Sequence, residues 1–124
     1  MVNKQDFINA INLNIDMVRG DTMAYNFQLA GLGSREAYEA LFATLAVAEH
    51  YEDEPIFIVT TGNGIELEEY DEDTDTALFS VYIAPNQTKT LDVNRYYYDM
   101  QIDDETDVIT LLRGRLNLVY DIAD

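Results

Sequence analysis

Arg95-Tyr96-Tyr97-Tyr98-Asp99-Met100-Gln101-Ile102-Asp103 decides how the rest of the chain is read. Tyr96, Tyr98, Met100 and Ile102 alternate with Tyr97, Asp99, Gln101 and Asp103. A two-residue period of this kind marks a strand with one face turned away from water. The hydroxyls of Tyr96 and Tyr98 are then expected at the rim of a core or on a backbone carbonyl. Tyr97 is left facing outward beside Asp99, where an exposed aromatic can anchor a contact or pack against a neighbouring strand.

The same period recurs on both sides of this stretch. After the acidic turn Asp103–Asp107, Val108–Leu112 and Leu116–Ile122 read as one long strand, with Gly114 as a bulge or kink. Upstream, Pro85–Asp92 is a polar crossover, and Leu78–Ala84 is a strand with Phe79, Val81 and Ile83 on one face. Asp71–Thr76 is an acidic loop and Ile65–Tyr70 an edge-like strand. Thr61-Gly62-Asn63-Gly64 is a turn, and Ile56–Thr60 a β-branched strand behind the acidic turn Tyr51–Pro55. Nearer the start, Leu13, Ile15 and Met17 alternate with polar neighbours. Gly20-Asp21 fits a two-residue hairpin turn, and Tyr25, Phe27 and Leu29 share one face of the strand that follows. Arg35–Tyr51 is ambiguous. Ala and Leu with Ser34 as N-cap favour helix, whereas Leu41, Ala43, Leu45 and Val47 alternate as a strand. About eight short strands at this spacing predict an all-β fold, a two-sheet, immunoglobulin-like antiparallel β-sandwich. Residues 1–12 read as an N-terminal arm and 13–124 as a single sandwich domain.

Composition narrows the function. The 124 residues suffice for one domain, and 48% hydrophobic content supplies a core. There is no cysteine, so thiolate metal sites and disulfides are excluded. No signal peptide and no membrane-spanning run is read. With 24 acidic residues against 7 basic ones the formal net charge is −17. That disfavours a nucleic-acid backbone and an anionic membrane as direct partners. It favours solubility and, second, steering toward basic partners.

The candidate chemistry is thin. His50 is the lone histidine, with no nucleophile elbow to serve. Carboxylates are so many that no pair stands out as an acid–base couple. Asp71-Glu72-Asp73-Thr74-Asp75-Thr76 alternates oxygen ligands as calcium loops do. It lacks the glycine at the sixth position, and Tyr82 stands where the bidentate glutamate belongs. Arg19-Gly20-Asp21 matches the tripeptide of integrin ligands, which a turn explains equally well. The glycine pairs 31/33 and 62/64 lack the lysine and helix of a phosphate loop. No catalytic, cofactor-binding or metal residue is assigned, no cofactor is expected, and the chain is expected not to be an enzyme.

Three stretches carry a resemblance. Val18-Arg19-Gly20-Asp21-Thr22 opens a strand. Ile83-Ala84-Pro85-Asn86-Gln87-Thr88 leads to Tyr96-Tyr97-Tyr98-Asp99-Met100-Gln101. Thr110-Leu111-Leu112-Arg113-Gly114 precedes a last strand ending Tyr120-Asp121-Ile122. In this order they resemble the small β-sandwich at the N-terminus of siphophage upper baseplate proteins, over about residues 13–122. The resemblance implies that Leu41–Glu49 is a strand, which decides the ambiguous segment. It also implies a non-catalytic structural or assembly protein of a tailed bacteriophage particle (baseplate, neck, tail or capsid accessory). Such a protein is made in the host bacterial cytoplasm and resides in the virion. Its partners are other virion proteins, and it is present as a homo-oligomer or in multiple copies. Two other classes stand beside this one: a carbohydrate- or cell-surface-binding sandwich, and an acidic DNA-mimic inhibitor.

Overall fold

The computed structural model describes residues 11–120. The chain runs β1 (Ile11–Asn12), β2 (Ile15–Val18), β3 (Met23–Ala30), α1 (Arg35–Glu39), β4 (Phe42–Ala48), β5 (Phe57–Thr61), β6 (Gly64–Asp71), β7 (Thr76–Ile83), α2 (Pro85–Thr88), β8 (Arg95–Asp103) and β9 (Val108–Val119). The fold is all-β. The strands form one mixed sheet in the order β1-β9-β8-β4-β5-β6-β7-β3, with β2 also on β9. The sheet curls into a nearly closed, barrel-like body. Counting β1 and β2 as one interrupted strand on β9, this is the expected set of eight. The hydrogen-bonded path is single, however, and not purely antiparallel. β1 and β2 run parallel to β9, and β5 meets β6 in parallel at Thr60–Gly64 and Thr61–Ile65. The proposed N-terminal arm, 1–12, lies outside the described residues except for Ile11 and Asn12, which pair with Leu112 and Arg113.

β8 is the organising strand. Tyr96, Tyr98, Met100 and Ile102 are buried, each no more than 3% exposed, while their odd-numbered neighbours face outward. It pairs along its length with β4 on one side and β9 on the other. Leu45 and Val47 from β4, Val59, Ile65, Phe79 and Val81, and Leu116 and Leu118 close one continuous core around it. Burying each side chain of this size contributes about 1.5–3 kcal/mol. On β3 and β7, Phe27 lies opposite Phe79 with ring centroids 5.0 Å apart and nearly parallel, a cross-strand pair worth about 0.5–1.5 kcal/mol beyond its burial.

Both readings of Arg35–Tyr51 hold, in succession. Ser34 caps a single helical turn, accepting from the Ala37 amide at 3.2 Å. The chain then passes the buried Leu41 and extends into β4, where Ala43, Leu45 and Val47 are buried. The helical turn buries only Tyr38, against Tyr70, and the alternating residues that follow are buried as a strand because β5 and β8 flank them.

Two turn readings need correction. Arg19–Thr22 is not a hairpin, because β2 lies on β9 and β3 on β7. Gly20 takes the second central place of a turn closed by Asp21 N–H on the Val18 carbonyl at 3.1 Å, with φ +82°. The turn is a corner that carries the chain from one end of the sheet to the other. The Gly20 amide donates to the Thr88 hydroxyl at 2.9 Å, and Thr88 is fully buried. Gly114 is not the bulge either. The β8–β9 register slips between Met100 and Gln101, so Leu111 is the extra residue. Gly114 serves a close approach instead. A Cβ there would collide with the Leu13 carbonyl, which accepts from the Tyr98 hydroxyl at 2.7 Å.

The two glycines therefore respond differently to a methyl group. Gly114→Ala drives backbone against backbone and is expected to cost about 2–3 kcal/mol. Gly20→Ala meets open space and carries only the left-handed backbone penalty, about 1–2 kcal/mol. Urea unfolding of the two variants checks this order; equal losses would remove the close-approach role from Gly114.

Candidate functional site

The outward phase of β8 and β9 carries the most organised set of solvent-facing side chains. Tyr97 stands opposite Arg115, Asp99 opposite Arg113, and Arg95 opposite Asn117. β4 ends beside Tyr97, since Ala48 is its partner in the register. The turn that follows, closed by Asp53 N–H on the His50 carbonyl at 3.1 Å, folds His50 and Tyr51 over the same face. Tyr51 and Tyr97 pack with centroids 4.8 Å apart at 46°, and the His50 ring lies 6.2 Å from Tyr97. The Arg113 guanidinium sits 4.5 Å above the Tyr51 ring. Tyr51 donates its hydroxyl to the Gly114 carbonyl at 3.0 Å, which fixes its ring although 45% of the residue is exposed. A cation over an exposed ring contributes about 0.5–1 kcal/mol, and the tilted tyrosine pair a similar amount. The cluster is thus held in one geometry before any partner arrives.

Asp99 lies inside this cluster, and partial burial raises its carboxyl pKa above the ordinary 3.8; Arg113 beside it acts in the opposite sense. The burial effect is the larger. Below the core, Tyr98 is pushed up to about 12 by burial, with the neighbouring Tyr51 adding to the shift. Tyr25 is displaced further in the same direction, and its buried hydroxyl has no partner among the described residues.

The other residues singled out in the sequence fall elsewhere. Tyr96 donates to the Asp92 carbonyl at 2.9 Å and Tyr98 to Leu13, as core tyrosines do. Arg19 reaches the Leu91 carbonyl at 3.2 Å and lies over the Tyr120 ring, so Arg19-Gly20-Asp21 is bound into the corner. In the acidic loop Asp75 takes a φ of +51°. Its carboxylate accepts from the Gly33 amide at 2.9 and 3.0 Å, from Tyr38 at 3.1 Å and from Tyr70 at 3.3 Å. These bonds tie the loop to α1 and β6 through Asp75. Among the described residues no three acidic or histidine side chains are grouped to hold a metal ion. Gly62 and Gly64 are turn glycines, with φ of +82° and +109°.

Sequence reasoning found Tyr97 but missed Tyr51, Arg113 and the arginines around it. The signal was present: Arg113 and Arg115 bracket Gly114, and Arg95 shares the outward phase of Tyr97. No protein-family model matches the chain, and no curated protein matches it.

Because burial outweighs Arg113, Asp99 is expected to titrate above 3.8 in carboxyl-resolved NMR. Arg113→Ala takes away the lowering charge and moves the midpoint higher. The raised folded pKa means that Asp99 favours folding most when protonated, and this contribution is lost as pH rises through the folded pKa. A midpoint at or below 3.8 would contradict the burial argument.

Proposed function

We propose that the chain is a non-catalytic assembly module of a tailed bacteriophage particle, held among other virion proteins by surface contacts. Two kinds of observation support this. The order of its turn and strand motifs resembles the upper baseplate sandwich. The outer face of β8–β9 presents Tyr51, Tyr97 and Arg113 as one preformed cluster, and Tyr and Arg are the side chains that most often dominate protein interfaces. The cluster is the observation that carries the docking role; the resemblance supplies the particle.

We further infer that the fold is a two-layer, immunoglobulin-like sandwich. β6, β7 and β3 form one layer, and β2, β9, β8, β4 and β5 the other. The β5–β6 link is only two residue pairs long, and the inward residues of both groups share a single core. Sheets stacked in this way bury alternate residues of both inner faces.

The exposed tyrosines also favour a second reading, a sugar-binding face, since aromatic rings with polar neighbours suit carbohydrate contact. Arg113 already covers one side of Tyr51, which weakens it.

Quantitative mass spectrometry of purified particles tests the first reading. The chain is expected in several copies per particle. Tyr51→Ala/Tyr97→Ala, folded by circular dichroism, is expected to lower its occupancy about tenfold or more, as loss of a contact hot spot does. Particles complete without the chain would overturn the assembly role. Glycan binding by the free chain that Tyr97→Ala abolishes would put the sugar reading in its place.

A further inference from the structure

Basic side chains are concentrated on one side of the sheet. β8 and β9 hold Arg95, Arg113 and Arg115, three of its seven lysines and arginines, all on the outward side. None of the three forms an ion pair among the described residues. β3, β6 and β7 contain no basic residue. Their outward side carries Glu66, Glu69 and Asp71, opposite Ser80, Leu78 and Thr76, with Glu68 projecting from the β6 bulge and bonded to Ser80 at 2.7 Å. Glu68, Glu69 and Asp71 line an open groove together with Gln28 and Leu78. Arg35 borders that groove and is paired with Glu39 at 4.0 Å. The outward side of β8 and β9 thus sets three arginines and Tyr97 against Asp99, with Asp16 of β2 at its edge on Asn117, whereas the outward side of β6 is carboxylate with Arg35 at its border.

We propose that the occupant of the Arg95–Arg113–Arg115 face is the β6 face of a second copy of this chain. The proposal rests on the docking reading above and names its partner. A net charge of −17 makes copies repel at long range. At physiological salt that repulsion is screened beyond about 8 Å, which leaves the facing patches to decide the contact. Here the three arginines outnumber Asp99 on one patch and the other carries Glu66, Glu69 and Asp71, so the patches are opposite in net sign, whereas two like faces brought together would repel. Joining unlike faces is a heterologous contact, and it builds a ring or an open filament rather than a two-fold dimer. Tyr51 and Tyr97 supply the apolar centre that charges alone lack.

Reciprocal charge reversal tests this with the full chain in sedimentation velocity and native mass spectrometry. One variant carries Arg95→Glu, Arg113→Gln and Arg115→Glu; the other carries Glu66→Arg, Glu69→Arg and Asp71→Arg. The wild type is expected to self-associate beyond a dimer. Each variant alone is expected to associate about 100-fold more weakly, because both its faces then carry one sign. An equimolar mixture of the two is expected to recover assembly. The single pair Arg115→Glu and Glu69→Arg, with smaller perturbation, serves if a triple variant fails to melt cooperatively. A wild type that stays monomeric, a variant that associates as well as the wild type, or a monomer whose arginine face instead binds a poly-glutamate probe would overturn the proposal. A monomeric chain still present in purified particles would defeat this inference alone. A chain that assembles but is missing from particles would defeat the virion role alone.

Discussion

Tyr96, Tyr98, Met100 and Ile102 must all leave water on the same side of β8, and the remaining elements are arranged by that requirement. β4 and β9 pair along its two edges and extend the interior face. A buried tyrosine also needs an acceptor for its hydroxyl. Tyr98 finds one in the Leu13 carbonyl, 85 residues away in sequence. That bond helps to hold the segment between β1 and β2 against β9, and Gly114 makes room for it.

The outer face follows from the same alternation. A strand that sends Tyr96 and Tyr98 inward sends Arg95, Tyr97 and Asp99 outward, and the β9 register sets Arg113 and Arg115 opposite them. Tyr51 reaches this face because β4 ends beside Tyr97, and its hydroxyl closes on the carbonyl of the same Gly114 that admits Leu13. One glycine thus joins the packing of the N-terminal strands to the geometry of the surface cluster. Tyr97 and Arg113 stand on paired strands, and Tyr51, on the turn after β4, is tied to them by its hydroxyl bond to Gly114.

The strands were legible wherever alternation was clean. Arg95–Asp103 could be read in both extent and phase, and the strands holding Phe79, Val81 and Ile83 and holding Tyr25, Phe27 and Leu29 in phase, although they run over Thr76–Ile83 and Met23–Ala30. Arg35–Tyr51 was legible only as a conflict, since Ser34 and the alternating Leu41–Val47 describe two successive elements. The pairing of β2 with β9 left no local trace: parallel partners a hundred residues apart share no turn chemistry. For the same reason Arg19–Thr22 reads as a hairpin, although its two strands lie at opposite ends of the sheet. Gly114 announced that a side chain was unwelcome, but only the approach of Leu13 tells why. In the candidate site, Tyr97 was visible as the odd member of a tyrosine triplet. Arg113 and Tyr51 were not, because their contact depends on the register between β8 and β9 together with the turn after β4.

Residue-resolved amide hydrogen exchange tests most directly whether β8 is the strand on which the rest depends. The amides of residues 96–102 are expected to exchange only by global unfolding, more slowly than those of the terminal strand β3, and their protection should fall in step with overall stability as urea is added. Protection concentrated in β3 or β6, with β8 opening locally while the remainder stays folded, would contradict the account.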